Sequence, residues 1–185
     1  KVQSYALSGL EGVAVTVETD VSRGLPSYEI VGLPDAAVRE SKERVRSAIK
    51  NSALNFPAHK ITVNLAPAYV KKEGSAFDLP VAISLLLAYG ELAADVSGVV
   101  FLGELALSGE LRPVTGVLPA VISARDKGFT KFVVPYGNRK EAGYVRGVEV
   151  YAAKTLKEVV DHLSGLAPLT PLPASAFSNA PKEEK

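Results

Sequence analysis

The hydrophobic period of the chain changes at Pro34, and this change constrains the fold more than any other sequence feature. From Val2 to about Leu33, apolar and polar residues alternate, which predicts antiparallel strands. The next segment, "PDAAVRESKERVRSAIKNSA", repeats its apolar positions at helical spacing, and Pro34 with Asp35 marks the start of that helix. The chain therefore combines a sheet with at least one long amphipathic helix.

The rest of the chain continues this mixture of periods. "KITVNLA" predicts a strand, and the segment from Asp78 to Tyr89 is apolar nearly all round, which predicts a buried helix. Further strands are predicted in "VVFLGEL", "ELRPV", "KFVVP" and "GVEVYAA", and the turn "ALSG" separates the first two. Helices are predicted in "TGVLPAVISARDKGF" and "TLKEVVDHLSG". Strands and helices do not alternate strictly, so the pattern favours an α+β fold over a doubly wound sheet.

The composition changes after Gly165, where prolines become frequent. Proline lacks a backbone N–H and resists both helix and sheet, so this segment is predicted to be extended. We therefore predict one folded domain over residues 1–165. Residues 166–185 are predicted to be a Pro-rich linker towards a further domain that this chain does not contain.

The residue inventory excludes several classes of site. The 185 residues include no cysteine and only two histidines, so disulfides and a thiol nucleophile are excluded and a metal site is not expected. The sequence contains no P-loop motif, so we expect no ATP hydrolysis by this chain alone. The longest apolar run, "LPVAISLLLAY", is about half of the roughly 20 residues that span a membrane. We expect a cytoplasmic protein without membrane contact.

The loop "KKEGSAFDLP" contains a serine that could suggest a hydrolase. Ser75 and Asp78 match a capping box, but Pro80 would then disrupt the second helical turn, so we predict Asp78 as the N-cap. A nucleophilic serine also needs a base, and Lys71 and Lys72 beside the turn are expected to lie in water. A structural turn residue is therefore the favoured interpretation of Ser75.

The first helix carries both signs of charge. Glu40 is expected to pair with Arg44, and Arg39 with Glu43, at i,i+4 spacing. A basic stripe, consisting of Lys42, Arg46 and Lys50, remains without predicted partners. The net charge is only +1, so any nucleic-acid contact must come from such local clustering. The candidate DNA-binding residues are Arg39, Lys42, Arg46, Lys50, Lys71 and Lys72.

Three segments together resemble the N-terminal domain of the ComM/YifB family of magnesium-chelatase-like AAA+ ATPases. They are "GLPSYEIVGLPDAAVRESKERVRSAIKNS", "ITVNLAPAYVKKEGSAFDLPVAI" and "FLGELALSGELRPVTGVLPA". The resemblance covers about Val2 to Leu163 in one colinear run. It implies a fold like the proteolytic domain of Lon protease, the C-terminal domain of RadA and a domain of a small-subunit ribosomal protein, with a mixed sheet packed against helices. ATP and Mg²⁺ are then expected only on the AAA+ domain that this chain lacks.

The resemblance to Lon also implies that the protease chemistry is missing. In Lon the corresponding loop reads Lys-Asp-Gly-Pro-Ser-Ala-Gly, and counting from Gly74 its catalytic serine falls on Ala76. The catalytic lysine of Lon falls on Leu118. Ser75 would replace that serine only after a slip of one residue, and the lysine would still be absent.

The resemblance implies a non-catalytic domain of a hexameric, ATP-driven DNA motor that promotes branch migration during natural transformation. In this role the domain contributes to the binding of single-stranded or branched DNA and to self-association into a ring. One alternative is a purely structural oligomerisation or protein-docking domain. A second alternative is a residual Ser-Lys peptidase that uses Ser75.

Overall fold

A computed structural model describes residues 1–8 and 11–173, which form nine strands and five α-helices. The strands are β1 (Val2–Ser8), β2 (Glu11–Ser22), β3 (Ser27–Val31), β4 (Lys60–Ala66), β5 (Val99–Phe101), β6 (Glu104–Leu105), β7 (Leu111–Arg112), β8 (Lys131–Pro135) and β9 (Glu149–Ala153). The helices are α1 (Ala36–Asn51), α2 (Asp78–Tyr89), α3 (Val117–Asp126), α4 (Arg139–Ala142) and α5 (Leu156–Leu163). A short 3-10 turn, Tyr136–Asn138, precedes α4 and was not predicted.

Seven strands form one mixed sheet in the order β3-β4-β2-β1-β5-β8-β9. β1 with β2 and β2 with β4 are antiparallel, whereas the four remaining neighbouring pairs are parallel. β6 and β7 form a separate hairpin that contains the predicted turn at Ser108 and Gly109. The α+β class with a mixed sheet packed against helices is confirmed.

The predicted pairing within the first strands needs one correction. β1 and β2 do form an antiparallel pair, but β3 lies at the sheet edge and pairs in parallel with β4. The reason is the connection, because α1 lies between β3 and β4 and a helical crossover returns the chain in the same direction.

Helices cover both faces of the sheet. One core cluster combines the buried faces of α1, α2 and α5 with side chains such as Val17, Val63 and Phe101. The second combines α3 and α4 with the opposite face, including Val100 and Phe132. The successive residues Val100 and Phe101 enter different clusters because side chains alternate across a strand. The second cluster does not extend over β3 and β4, where Glu29 and Asn64 are exposed on the face opposite the first cluster.

The Pro-rich segment begins on the surface of the domain. Residues 166–167 form a bend and residues 168–173 have no regular secondary structure. Leu169 N–H donates to Nδ1 of His162 at 2.8 Å, and Leu172 N–H donates to the Val150 carbonyl at 2.8 Å. Both leucine side chains pack against the core clusters. The folded unit therefore extends beyond the predicted boundary, and the rest of the predicted linker lies outside the described residues.

Within the described part of the chain, no helix is long and apolar enough to cross a membrane.

Candidate functional site: a loop groove and a basic helix

The loop between β4 and α2 holds the serine that raised the question of hydrolysis. Gly74 adopts a positive φ of 83°, and Ser75 follows it in a half-buried position. The Ser75 hydroxyl donates a short hydrogen bond to the carboxylate of Glu104 at the start of β6. The partner of Ser75 is therefore an acidic residue and not a lysine. The contact orders the loop and does not resemble a Ser-Lys dyad.

A groove of about 410 Å³ lies beside this loop. The end of β1 with Leu7, the loop residues Gly74 and Ala76, and Gly116 with Val117 at the start of α3 line it. Ala76 and Leu118, the positions that correspond to the Lon dyad, both pack against the core cluster formed by α3 and α4. Apolar side chains therefore stand at both positions where the resemblance places catalytic groups.

The prediction that Asp78 is the N-cap of α2 is wrong. The N-cap is Phe77, and Asp78 is the first residue of the helix with its carboxylate fully buried. Nε and Nη2 of Arg44 donate to the two carboxylate oxygens at 2.6 and 3.0 Å, and Leu105 N–H donates at 3.0 Å. Burial raises the pKa of Asp78 to about 6, although these donors favour the charged form. The carboxylate therefore joins α1, α2 and β6 instead of capping one helix end.

The start of α1 confirms the predicted helix signal at Asp35. One Asp35 oxygen accepts the Val38 N–H at 2.8 Å, and the other accepts the Gly74 N–H at 3.2 Å. The Asp35 N–H also donates to the Lys72 carbonyl at 2.9 Å. One N-cap residue thus fixes both the helix that carries the basic stripe and the loop that lines the groove.

Lys72 was expected in water as a DNA-binding candidate, and this expectation is wrong. The residue is fully buried, its Nζ donates to the Pro67 carbonyl, and burial lowers its pKa. The backbone fixes its position, because Lys72 N–H donates to the Leu33 carbonyl and the Lys72 carbonyl accepts the Asp35 N–H. Lys71 remains exposed and pairs with Glu73 at 3.6 Å, so only Lys71 of the two is available to a partner.

The three residues of the basic stripe lie along one side of α1 and differ in their exposure and in their contacts. Lys50 is exposed and Lys42 is half-buried, and neither forms an ion pair among the described residues. Arg46 differs from the expectation, because its guanidinium lies 5.4 Å from the ring centre of Phe56 and 3.8 Å from the carboxylate of Glu43.

The neighbouring charges on α1 follow the predicted pairing in part. Glu40 pairs with Arg44 at 3.7 Å, as expected from the i,i+4 spacing. The expected pair of Arg39 with Glu43 is replaced by the pair of Glu43 with Arg46, which leaves Arg39 exposed and without a carboxylate partner in the described residues. Arg39, Lys42 and Lys50 are consequently the cations of α1 that are free to meet an anion.

Comparison with known proteins now decides the family. Residues 17–138 match the family described as subunit ChlI of Mg-chelatase. The chain belongs to this ChlI family.

Curated relatives of this ChlI-family domain are longer than the chain. The competence protein ComM of Haemophilus influenzae is 44% identical over 165 residues, which are 89% of this chain and 32% of that protein. The uncharacterized protein YifB of Escherichia coli is 42% identical over 181 residues, 97% of this chain and 36% of that protein. The chain thus spans about a third of the length of these relatives, and the resemblance to the ComM/YifB family is confirmed.

A more distant relative bears on the fold. Lon protease 2 of Bacillus subtilis is 25% identical over 147 residues, which are 76% of this chain and 26% of that protein. This similarity agrees with the mixed sheet and helices of the structure and supports the Lon-like fold expected from the sequence.

Sequence reasoning missed the partners of the loop residues. Glu104, which binds Ser75, and Arg44, which binds Asp78, lie 29 and 34 residues away from them along the chain. No local pattern reports such distant pairs. The buried position of Lys72 also depends on a distant contact, the hydrogen bond of its N–H to the Leu33 carbonyl.

Proposed function

We propose that this ChlI-family domain is the non-catalytic N-terminal part of a ComM-like, hexameric AAA+ motor that promotes branch migration during natural transformation. In this proposal the domain contributes to DNA binding and to ring assembly in the cytoplasm. ATP and Mg²⁺ bind the AAA+ part of the longer protein. The similarity to a competence protein over 89% of the chain supports the assignment.

The observation that carries the proposal is the chemistry of the groove. Ala76 and Leu118 are apolar residues packed against one core cluster, and the Ser75 hydroxyl is bound to a carboxylate. A Lon-like domain with these residues retains the scaffold and lacks a nucleophile paired with a base. Such a scaffold supports a role in binding and assembly.

The exposed cations of α1 and the loop supply the proposed DNA contact. Arg39, Lys42 and Lys50 have no carboxylate partner among the described residues, and Lys71 has only an exposed one. Arg46 contributes through its half-buried guanidinium, whereas buried Lys72 is removed from the set. Cations along one helix side bind phosphates by releasing the counterions that surround nucleic acid.

The test is fluorescence anisotropy of labelled single-stranded, duplex and branched DNA over a salt series. The variant Lys42→Gln with Lys50→Gln is expected to reduce the slope of log affinity against log salt by about 1 to 2. Lys131→Gln with Arg146→Gln is the matched control, because both residues are exposed and the net charge changes equally. No DNA binding by the unmodified chain at low salt, or equal losses in both variants, contradicts the proposed contact.

A specific surface favours the alternative of a purely structural assembly domain. β3 lies at the edge of the seven-stranded sheet, and Val31 and Leu33 at its end are 42% and 54% exposed. Leu25 and Tyr69 are 89% and 84% exposed. An open strand edge beside apolar side chains is suited to association with another protein or another copy. Concentration-dependent sedimentation without any DNA binding would favour this function.

The second alternative is a residual Ser-Lys peptidase that uses Ser75. Its test is covalent labelling by a serine-reactive probe, with Ser75→Ala as the control variant. We expect no labelling, because the Ser75 hydroxyl is bound to the carboxylate of Glu104 and not to the lysine that a Ser-Lys dyad requires. Labelling that disappears in Ser75→Ala would establish a reactive serine.

A further inference from the structure

A second group of cations lies at the carboxyl ends of β8 and β9. These strands are parallel neighbours, and Pro135 is paired with Ala153 at the ends of the two strands. Tyr136 and Lys154 are the next residues of the two strands and therefore emerge at the same sheet edge. The Lys154 Nζ lies 4.8 Å from the centre of the Tyr136 ring, and the Arg139 Cζ lies 4.0 Å from it.

The two cations share one aromatic ring and lack carboxylate partners. Among the described residues, neither Arg139 nor Lys154 has a carboxylate oxygen at ion-pair distance, and Arg139 Nη1 donates instead to the Tyr136 carbonyl at 3.0 Å. The nearby carboxylate of Glu158 accepts the backbone N–H of Lys154 at 2.9 Å, and that of Glu141 accepts a side-chain amide. Two like charges held close together repel each other, and a bound anion would relieve this repulsion.

The loop that presents the ring is held in place before any ligand binds. The buried side chain of Asn138 donates to the Val114 carbonyl at 2.9 Å and accepts the Val114 N–H at 3.0 Å. Gly137 lies so close to Pro113 that an added Cβ would be 3.1 Å from the proline Cβ. A site whose loop is already ordered loses little conformational entropy on binding.

The β6–β7 hairpin connects the end of α1 with the group formed by Tyr136, Arg139 and Lys154. Asn51 Nδ2 at the C-terminus of α1 donates to the Leu107 carbonyl at 2.8 Å. In the same hairpin, Leu111 N–H donates to the Lys154 carbonyl at 2.8 Å. The basic stripe, which ends at Lys50 next to Asn51, and Lys154 are therefore both linked to the β6–β7 hairpin.

We propose that Tyr136, Arg139 and Lys154 form a second contact site for single-stranded DNA, beyond the α1 contact of the proposed function, on which this inference rests. The two cations bind a phosphate, and the ring, which is 39% exposed, contacts an unstacked base or sugar. Bases in a duplex are stacked on one another, so an aromatic contact of this kind favours single strands. Basic groups interleaved with an aromatic ring are the usual composition of single-strand sites.

The charge test uses the 185-residue chain with Arg139→Gln and Lys154→Gln together. Anisotropy of a labelled single-stranded oligonucleotide over a salt series is expected to show a salt slope reduced by about 1 to 2. The matched control is again Lys131→Gln with Arg146→Gln, because Lys131 starts β8 at the end opposite Tyr136. Equal effects of the two double variants would overturn the site, since they would report only net charge.

The ring test separates stacking from charge. Tyr136→Leu is expected to weaken single-strand binding about fivefold or more and to weaken duplex binding less. Tyr136→Phe, which keeps the aromatic ring, is expected to bind like the unmodified chain. Thermal unfolding of each variant verifies that the fold persists. Unchanged single-strand affinity of Tyr136→Leu, while Lys42→Gln with Lys50→Gln weakens binding, would overturn this inference and leave the proposed function standing. Absence of all DNA binding by the unmodified chain would instead overturn the proposed function itself.

Discussion

The buried ion pair between Arg44 and Asp78 leads to the sharpest stability prediction. Asp78 is fully buried and accepts two hydrogen bonds from Arg44 and one from Leu105 N–H. Arg44→Met removes two of these donors and leaves a carboxylate without a counter-charge. Breaking a buried pair in this way costs about 3 to 5 kcal/mol of the free energy of unfolding. The double variant Arg44→Met with Asp78→Asn is expected to recover most of the loss, because the amide oxygen still accepts the Leu105 N–H.

The pH dependence of this loss follows from the pKa of Asp78. Burial already raises that pKa to about 6, and removal of the Arg44 guanidinium is expected to raise it further. A carboxyl group whose folded pKa exceeds its unfolded pKa stabilises the fold at low pH, and this stabilisation is lost as the pH rises through the folded pKa. The loss in Arg44→Met should therefore be larger at about pH 8 than at about pH 5.

The assay is urea unfolding followed by circular dichroism at both pH values. Lys157→Met is the control, because its pair with Asp161 is an exposed i,i+4 pair on α5 and should contribute only about 0.5 kcal/mol. A cost below about 1 kcal/mol for Arg44→Met, or the same cost at both pH values, would refute the assignment of a buried, charged pair at this position.

Three further predictions concern other parts of the fold. Burial lowers the pKa of His162, whose Nδ1 accepts the Leu169 N–H, so the docked Pro-rich segment should loosen as the pH falls below about 6.5. Hydrogen-exchange protection of the Leu169 amide should fall with it, and His162→Phe should abolish this pH dependence. Gly32→Ala should cost at least about 2 kcal/mol in thermal unfolding, because φ is +110° and the added Cβ would lie 2.1 Å from a carbonyl oxygen. Gly24→Ala, at φ +144° with open space around it, should cost less. Lys72→Met should leave DNA affinity unchanged and the free energy of unfolding within about 1 kcal/mol, which anisotropy and urea unfolding would measure.

The positions of the regular elements were largely predictable from local patterns. The strand at Lys60–Ala66 and the helix at Asp78–Tyr89 have the bounds that periodicity predicted, and Asp35 caps α1 as expected. Burial repeats every second residue in a strand and about every third or fourth residue in a helix. These periods can therefore be recognised from residues that are close together in the sequence. The 3-10 turn at Tyr136–Asn138 was missed because three residues are too few to show a period.

The candidate sites were predictable only where a residue acts within its own helix. Lys42 and Lys50 lie on one side of α1 because their spacing places them there, and the helix alone decides it. Lys71 and Lys72 show where prediction from local sequence fails. They are neighbours of the same residue type, and a backbone hydrogen bond of Lys72 to the distant Leu33 decides which of the two is buried.

The sequence by itself determined the element types, the mixed α+β class and the absence of a serine and a lysine at the two Lon positions, because each depends on residue identity or local spacing. Only the tertiary structure decided which strand pairs with β3, that Asp78 meets Arg44, and that Lys154 reaches the ring of Tyr136. These contacts join residues far apart along the chain. Their energies depend on burial and on distance in space, which neighbouring residues do not encode.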